Sequence, residues 1–216
     1  MQIAIPLFER FTALDAIGPY DVLSRLPDAE VVFVGREKGP VRSDNGMLAI
    51  ERDATLDEVP SPDILVFPGG LGTRPLTEDA VWLDWVRGVH AQSQWTTSVC
   101  TGSLVLAAAG VLEGREATTH WAAQTELVRL GSPYVEQRVV QHGKVITAAG
   151  VSSGIDMAIS LAAQIAGDDV AQAIQLYIEY DPQPPFDAGA PSKCGQSVFD
   201  AVAELGTREA ARVSAG

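Results

Sequence analysis

Short apolar runs alternate with longer amphipathic stretches along most of the chain. The apolar runs, each the length of a buried strand, are Gln2 to Leu7, Glu30 to Val34, Asp63 to Phe67, Trp95 to Val99 and Val145 to Ala149. The amphipathic stretches have the spacing and length of crossover helices and are Ala13 to Arg25, Glu78 to Ala91, Thr101 to Leu112, Trp121 to Arg129 and Ser153 to Ala166. Strands that alternate with helices in this way form a parallel sheet with helices on both faces. The pattern therefore predicts an α/β fold of three layers.

Two weaker strand patterns lie in the second half of the chain, at Glu116 to His120 and Val135 to Gln141. The second pattern is followed by His142-Gly143 and then by the apolar run from Lys144 to Ala149. A short glycine-containing turn between two strand patterns is typical of a hairpin. We therefore expect an antiparallel extension of the sheet at this point.

The C-terminal part of the chain changes in character at Asp181. Prolines recur from Asp181 to Pro191, and they exclude a helix or a central strand because proline has no amide donor and biases the preceding residue toward extended geometry. An amphipathic helix is predicted from Gln196 to Val213. We expect one α/β domain over residues 1–190, with an arm and helix over residues 181–216 that pack on that domain or on a dimer partner.

Composition narrows the classes of partner. The 216 residues include 28 Asp and Glu against 15 Lys and Arg, and the basic residues are scattered singly. Such a surface repels phosphate backbones and anionic lipids, so we expect no nucleic acid and no membrane as partners. No apolar stretch approaches the ~20 residues that cross a bilayer. Two cysteines and three histidines without ligand spacing predict a reducing, cytoplasmic location, no disulfide framework, no metal and no cofactor.

Cys100 carries the strongest chemical signal. It lies in Ser98-Val-Cys-Thr-Gly-Ser103, between a predicted strand and a predicted helix. A thiol at such a turn is presented at the carboxyl end of the sheet, next to the positive end of a helix that favours thiolate. An isolated cysteine is more often a small core residue, and burial raises its pKa. In this context we predict a nucleophile with a depressed pKa.

Three other positions can contribute to the same site. The turn Pro68-Gly-Gly-Leu-Gly72 follows a predicted strand, and its amides, with that of Thr101, can stabilise developing negative charge; alone, it is more simply a tight turn. Asp15 follows the first strand and is a candidate proton carrier, although such an acid is more often a helix cap. His120 is the one histidine in a motif-like setting, and we favour a structural or pocket-lining role over catalysis.

These motifs occur together in the order of a known family. Leu14-Asp-Ala-Ile-Gly-Pro19, Pro68-Gly-Gly70, the Cys100 segment, Ala117-Thr-Thr-His-Trp121 and Gly154-Ile-Asp-Met-Ala158 match it in sequence. Over residues 1–190 the chain resembles the ThiJ/PfpI superfamily, within the class I glutamine-amidotransferase-like fold. The resemblance implies a flavodoxin-like three-layer sandwich with a strained cysteine at the strand-to-helix turn.

Within this superfamily the chain departs from the most common pattern. Most members carry a glutamate after the first strand and a histidine directly after the cysteine, whereas this chain has Asp15 and Thr101. Together with the Pro184-Pro-Phe-Asp-Ala-Gly189 segment, that pairing resembles the isocyanide-hydratase branch. The resemblance implies a homodimer that converts a small-molecule isocyanide, R–N≡C, and water into the N-substituted formamide without a cofactor.

The resemblance also implies a role for each site residue. Cys100 is assigned as nucleophile, Asp15 as general acid and base, and Thr101 as a hydrogen-bonding partner that helps to position Asp15. Residues expected around the oxyanion or the pocket are Gly69, Gly70, His120 and Val151. An isocyanide carbon accepts a soft nucleophile while its nitrogen requires a proton, so a thiolate and a nearby carboxylic acid would form a thioimidate that water then attacks.

Two other classes of function remain open. An enzyme acting on an α-oxoaldehyde or a glycated adduct ranks second, although the missing histidine after Cys100 weakens it, and an amidase is a weaker variant. A ligand-sensing domain is the third alternative, because similar domains precede a DNA-binding module in transcription regulators. Only about one helix follows residue 190, so a sensing role would require a separate partner protein.

Overall fold

A computed structural model of the chain describes residues 1–214 and has a seven-stranded sheet at its centre. The strands are β1 Gln2–Pro6, β2 Glu30–Gly35, β3 Gly39–Arg42, β4 Ala49–Arg52, β5 Ala54–Thr55, β6 Ile64–Phe67, β7 Trp95–Val99, β8 Val139–His142 and β9 Val145–Ala148. The central sheet has the order β5-β2-β1-β6-β7-β9-β8, and β3 pairs with β4 alone. All pairs in the central sheet are parallel except β8 with β9. The predicted mainly parallel sheet and the hairpin at His142-Gly143 are confirmed.

Helices cover both faces of this sheet. They are α1 Ala13–Leu23, α2 Thr73–Leu76, α3 Ala80–Gln92, α4 Gly102–Ala108, α5 Gln124–Arg129, α6 Ser153–Ala166, α7 Asp168–Tyr177 and α8 Gln196–Ser214, with short 3-10 turns at Trp121–Ala123 and Pro191–Lys193. Val99 of β7 faces Gly154 of α6, whereas Thr96 of the same strand hydrogen-bonds to His90 of α3 at 2.9 Å. Residues an odd number apart on a strand point to opposite faces, so α3 and α6 lie on opposite sides of the sheet. The predicted three-layer α/β fold is confirmed.

The central strands are buried on both sides. Every residue of β6 is buried, and the aromatic side chains of Phe8, Phe67 and Trp82 pack together beside it, with ring centroids 5.8 Å apart for Phe8 and Phe67. Strands enclosed by helices on both faces lose the alternation of apolar and polar residues. This explains why the sequence of β6 is a continuous apolar run.

One predicted strand is absent from the described structure. Residues 116–120 form only a single bridge, between Ala117 and Tyr134, and not a ladder. The amide of Thr118 donates to the Thr147 side chain at 3.0 Å, and the Thr119 hydroxyl donates to the Cys100 carbonyl oxygen at 3.1 Å. Side-chain hydrogen bonds therefore replace strand pairing here. The prediction of a strand over Glu116 to His120 is wrong.

Several short elements were not predicted. Strands β3, β4 and β5 are at most four residues long, and α2 is a single turn. Helix α7 follows α6 directly after Gly167, and its last residues, Leu176 and Tyr177, are exposed. Strands of two to four residues and a single helical turn give little periodicity for a sequence pattern to reveal.

The C-terminal segment lies against the domain through a few contacts. The Tyr180 hydroxyl donates to Asp156 at 2.6 Å, and the ring of Phe199 on α8 packs edge-on against Trp121 with centroids 5.9 Å apart. Residues 215 and 216 of the predicted 181–216 segment lie outside the described residues. None of the helices in the described part of the chain is long and apolar enough to span a membrane.

Candidate active site

The candidate site lies where three neighbouring strands end. Asp15 is on α1 after β1, Gly69 and Gly70 follow β6, and Cys100 follows β7. Strands β1, β6 and β7 are adjacent and parallel. Their carboxyl ends therefore meet at one edge of the sheet, the usual position of sites in open α/β folds. The structure brings together the residues that the sequence motifs placed far apart.

Cys100 has a constrained backbone at the turn from β7 to α4. Its φ is 57°, in the left-handed region that residues other than glycine rarely adopt. Its amide donates to the carbonyls of Ala148 at 3.0 Å and Ala149 at 2.8 Å. Its own carbonyl accepts from the hydroxyls of Ser103 and Thr119, both at 3.1 Å. These four hydrogen bonds hold the unfavourable conformation, and the predicted strained backbone at Cys100 is confirmed.

Asp15 is completely buried beside the cysteine. Its Oδ2 accepts from the Gly69 amide at 2.9 Å, while Oδ1 has no hydrogen-bond partner of good geometry within the described residues. Burial raises the pKa of Asp15 to about 7, and the Gly69 amide and the Cys100 thiol only partly oppose that effect. The carboxyl group can therefore gain or lose a proton near neutral pH.

The pKa of the Cys100 thiol is raised above its ordinary value. Burial is the largest cause that raises its pKa, and the negative charge of Asp15 adds to it. The amides of Thr101 and Val151 are directed at the sulfur and act in the opposite sense, but they do not overcome desolvation. The predicted depressed pKa of Cys100 is therefore wrong, because only 4% of the residue is exposed to water.

The glycine turn after β6 connects Asp15 to Thr101. The Thr101 hydroxyl accepts from the Gly70 amide at 2.9 Å and donates to the Gly70 carbonyl at 3.1 Å. Among the described residues it makes no hydrogen bond to Asp15, so its influence on that carboxyl group passes through the Gly69-Gly70 loop. A Cβ on Gly69 would lie 2.5 Å from the Thr101 nitrogen and 2.8 Å from Asp15 Oδ2, which leaves no room for a side chain.

This arrangement changes the predicted role of the two glycines. The Gly69 amide is bonded to Asp15 and the Gly70 amide to Thr101, so neither is free to donate to a reacting atom. The expectation that these amides line an oxyanion site is corrected accordingly. The amides directed at the sulfur belong to Thr101 and Val151, two residues that were expected in the site.

His120 lies at the rim of the site without contacting the thiol. Its Nδ1 accepts from the Ala122 amide at 3.2 Å, and its ring packs on Trp121 with centroids 5.4 Å apart. Burial lowers its pKa, and the positive charge of Arg74 lowers it further. A neutral imidazole that caps a turn and lines a cleft agrees with the pocket-lining role that the sequence favoured.

A cleft of about 660 Å³ opens beside the buried pair. Its lining includes His120, Gly150 and Val151 of the domain. It also includes Pro184 and Phe186 of the proline-containing segment 181–191, called the Pro-rich arm below. Neither Cys100 nor Asp15 is among the residues that line the cleft, and the Cys100 amide donates to the Ala149 carbonyl, so the cysteine lies directly behind the 149–151 segment. Tyr134 and Arg138 also line the cleft, and no sequence motif identified them.

A second groove, of about 720 Å³, lies between α1 and α7 and is lined by Tyr20, Arg25 and Tyr177. The smaller cleft is lined by Thr119, Ala149 and Val151, which hydrogen-bond to Cys100, so the smaller cleft is the candidate substrate site. In the part of the chain that the structure describes, no group of three or more His, Cys, Asp or Glu side chains is placed to hold a metal ion.

The fold and the site define an α/β protein with a constrained cysteine beside a buried carboxyl group, and comparisons with known proteins agree. The model of the DJ-1/PfpI family matches residues 1–164. The chain belongs to the DJ-1/PfpI family.

Three relatives illustrate the range of the family. The isonitrile hydratase of Pseudomonas putida is 46% identical over 200 residues, which are 93% of this chain and 87% of that protein. The crystal structure of a ThiJ/PfpI family protein from Pseudomonas syringae has a TM-score of 0.90 at 36% identity and covers 99% of this chain and 89% of its own. The transcriptional regulator CdhR of Pseudomonas aeruginosa is 29% identical over 177 residues, 78% of this chain but only 51% of the regulator.

Proposed function

We propose that this protein is an enzyme that hydrates isocyanides to N-substituted formamides through a covalent bond to Cys100. The observation that carries the proposal is the buried pair of Cys100 and Asp15, in which the pKa of Asp15 is raised to about 7. A similarity of 46% identity to an isonitrile hydratase supports the substrate class. An uncharged isocyanide can enter a site that excludes ions.

The first step would form the carbon–sulfur bond. The thiol of Cys100 gives its proton to the Asp15 carboxylate as the sulfur attacks the terminal carbon of R–N≡C. That carbon then takes the proton back from Asp15. The product is a thioimidate, Cys100–S–CH=N–R, which contains every atom of the thiol and the isocyanide. The raised pKa of Asp15 suits this exchange, because an acid and base that titrates near neutral pH transfers protons in both directions.

The second step would hydrolyse the thioimidate. Asp15 removes a proton from water as the oxygen bonds to the carbon, and the nitrogen takes that proton from Asp15. The carbon–sulfur bond then breaks, and the hydroxyl proton returns to the sulfur through Asp15. The products are R–NH–CHO and the original thiol, so the sum is R–N≡C plus water. No other reactant is consumed.

The surrounding residues have positioning roles in this proposal. The Gly69 amide orients the Asp15 carboxylate, and Thr101 holds the Gly69-Gly70 loop through its two hydrogen bonds to Gly70. The amides of Thr101 and Val151 stabilise charge that develops on the sulfur. His120 and Val151 line the path from the cleft.

The decisive experiment is formamide production from 4-nitrophenyl isocyanide by four proteins. Cys100→Ser and Asp15→Asn are expected to lose about 1,000-fold or more in kcat/KM because each removes a group that touches the reacting atoms. Cys194→Ser is the matched control, since Cys194 is the second free thiol and lies in the C-terminal segment. It should retain wild-type activity.

Acid quenching during turnover tests the covalent step directly. Mass spectrometry should find the peptide that contains Cys100 heavier by the mass of the isocyanide, and Cys194 unmodified. Absence of wild-type turnover on both alkyl and aryl isocyanides would reject the proposal. Lactate formation from methylglyoxal would then support the glyoxalase-like alternative. Turnover of amides that is lost in Cys100→Ala would support the amidase alternative.

The ligand-sensing alternative is favoured by one observation, the similarity to about half of the regulator CdhR. It predicts tight isocyanide binding without turnover. From the resemblance to hydratases we also propose that the protein is a homodimer. We propose a cytoplasmic location as well, because both cysteines are free thiols and this suits a reducing compartment. Sedimentation equilibrium of the pure protein tests the dimer.

A further inference from the structure

The Pro-rich arm forms one wall of the candidate substrate cleft. Pro184 and Phe186 line it from outside, across from His120 and Val151. The thiol lies immediately behind Val151, whose amide is directed at the sulfur. A substrate bound in the cleft with its reactive carbon toward Cys100 would therefore place its R group against the arm.

The arm is attached at both of its ends. Before it, the Tyr180 hydroxyl donates to Asp156 at 2.6 Å, and Asp156 forms an ion pair with Arg138. After it, the ring of Phe199 on α8 packs edge-on against Trp121 of the domain, with centroids 5.9 Å apart. The ion pair of Lys193 with Asp187 lies within the C-terminal segment itself. The contacts of Tyr180 and Phe199 with the domain therefore restrict where the arm, and with it Phe186, can lie.

The cleft offers aromatic surface that the protein itself does not cover. Phe186 is 79% exposed, and within the described residues no other aromatic ring packs against it. Trp121 and Tyr134 line the same cleft. A well-placed aromatic partner stabilises an aromatic surface beyond the burial of area alone. A ring in the substrate can supply that partner.

The charges of the cleft favour a neutral ligand. Its two cations, Arg138 and Lys193, are paired with Asp156 and Asp187. Glu136 adds a negative charge to the lining, and the whole chain has a formal net charge of −13. A carboxylate on the R group would meet no unpaired cation among the lining residues that the structure describes.

We propose that Phe186 determines specificity and that the arm selects isocyanides with a neutral aromatic R group. This inference rests on the proposed isocyanide hydration, and it names a substrate class within that function. Phe186 acts on the part of the substrate that does not react. Its replacement should change the KM for aromatic substrates and leave the chemical step on small substrates intact.

The test compares kcat/KM for benzyl isocyanide and n-butyl isocyanide in wild type, Phe186→Ala and Phe186→Tyr. The aromatic-to-alkyl ratio should fall about tenfold in Phe186→Ala, mainly through KM, and should be retained in Phe186→Tyr. Leu176→Ala is the matched control, because Leu176 is 80% exposed on α7 and does not line the cleft. Its ratio should equal that of wild type.

A second comparison uses 4-isocyanobenzoate and its methyl ester. The ester should be the better substrate by about tenfold or more, and Glu136→Gln should narrow the difference. An unchanged aromatic-to-alkyl ratio in Phe186→Ala, with normal wild-type turnover, would overturn the role of Phe186 alone. A preference for the carboxylate would overturn the neutral substrate class. Lack of turnover on all four isocyanides would reject hydration itself and this inference with it.

Discussion

At the scale of single residues, the pair formed by Asp15 and Cys100 behaves as one acid–base unit. The negative charge of Asp15 raises the pKa of the thiol, and the thiol in turn affects the pKa of the carboxyl group. Two interacting groups lose their protons in steps that belong to the pair. Catalysis by the proposed route requires the pair to hold one proton, which moves from sulfur to carboxylate when the substrate arrives.

Slow alkylation of Cys100 is expected from its burial and its raised pKa. At pH 8, iodoacetamide should modify Cys194 faster than Cys100, because Cys100 is buried whereas Cys194 is partly exposed. The rates can be separated by mass spectrometry of the two peptides. In Asp15→Asn the loss of the neighbouring charge should speed alkylation of Cys100 and leave Cys194 unchanged. Faster reaction of Cys100 than Cys194 in the wild type would contradict the raised pKa.

The pH profile of activity should follow Asp15. Below pH 7 the carboxyl group is protonated and cannot take the proton of the thiol, so kcat/KM should rise with pH through about 7. Above that pH it should reach a plateau. A neutral isocyanide contributes no titration of its own. A profile that is flat between pH 5 and pH 8, or that falls over this range, would be incompatible with the assigned role of Asp15.

The same group makes stability depend on pH. The pKa of Asp15 is raised in the folded state to about 7 from an ordinary value of 3.8. Its contribution to the free energy of unfolding is therefore most favourable below pH 3.8 and is lost as the pH rises through 7, with a total of up to about 4 kcal/mol. Urea unfolding of wild type and Asp15→Asn between pH 4 and pH 8 checks this. The free energy of unfolding of the wild type should fall relative to that of Asp15→Asn as the pH rises. A difference that stays constant with pH would contradict the raised pKa of Asp15.

At the scale of elements, the site depends on the close approach of the loops after β6 and β7. A Cβ on Gly102 would lie 2.2 Å from the Phe67 carbonyl oxygen, and a Cβ on Gly69 would lie 2.5 Å from the Thr101 nitrogen. Distances below 3 Å exclude a side chain unless the backbone moves. The glycines in both motifs are therefore explained by contact between elements and not by flexibility.

The substitution Gly69→Ala should damage the site more than the fold. We expect a fall in kcat/KM of about 100-fold, because the displaced loop shifts Asp15 and the cysteine turn, with a loss of stability of about 1–3 kcal/mol. Gly88→Ala is the matched control, since a Cβ at this half-buried position in α3 would have no neighbour within 4 Å. It should leave activity unchanged and stabilise the helix by up to about 1 kcal/mol. Equal activities of the two variants would refute the close-contact argument.

At the scale of the whole molecule, the strong negative charge acts on how substrates reach the cleft. A net charge of −13 attracts cations and repels anions over roughly a Debye length, about 10 Å at 0.1 M salt. Uncharged isocyanides approach without electrostatic steering. The net charge thus adds long-range discrimination against anionic substrates to the local discrimination that Glu136 contributes.

Ionic strength should separate the two kinds of substrate. Raising sodium chloride from about 10 mM to about 150 mM should increase kcat/KM for 4-isocyanobenzoate by screening repulsion, and leave that of its methyl ester nearly constant. The ester serves as the control for effects of salt on the protein. A larger effect of salt on the ester than on the acid would show that the charge of the chain does not govern substrate approach.

Most of the architecture was determined by the sequence alone. Short runs of apolar and β-branched residues predicted β1, β2, β6, β7 and β9, and helical periodicity predicted α1, α3 and α6, because such residues mark elements that pack against a common core. The motif around Cys100 also located the strand-to-helix turn and its strained backbone. In contrast, residues 116–120 have a strand-like sequence but form no ladder: the Thr118 amide donates to the Thr147 side chain, and the Thr119 hydroxyl donates to the Cys100 carbonyl.

Only the tertiary structure decided which groups in the site are hydrogen-bonded to each other and how their pKa values are shifted. The sequence placed Cys100 next to a helix terminus, which predicts a low pKa, but complete enclosure of the thiol and its contact with Asp15 reversed the direction. Likewise, the amides of Gly69 and Gly70 are bonded to Asp15 and Thr101, and Tyr134 and Arg138, which lie in segments without motifs, line the cleft. Burial, charge and hydrogen bonding depend on residues that are distant in sequence, so local pattern determines the elements while their packing determines the chemistry.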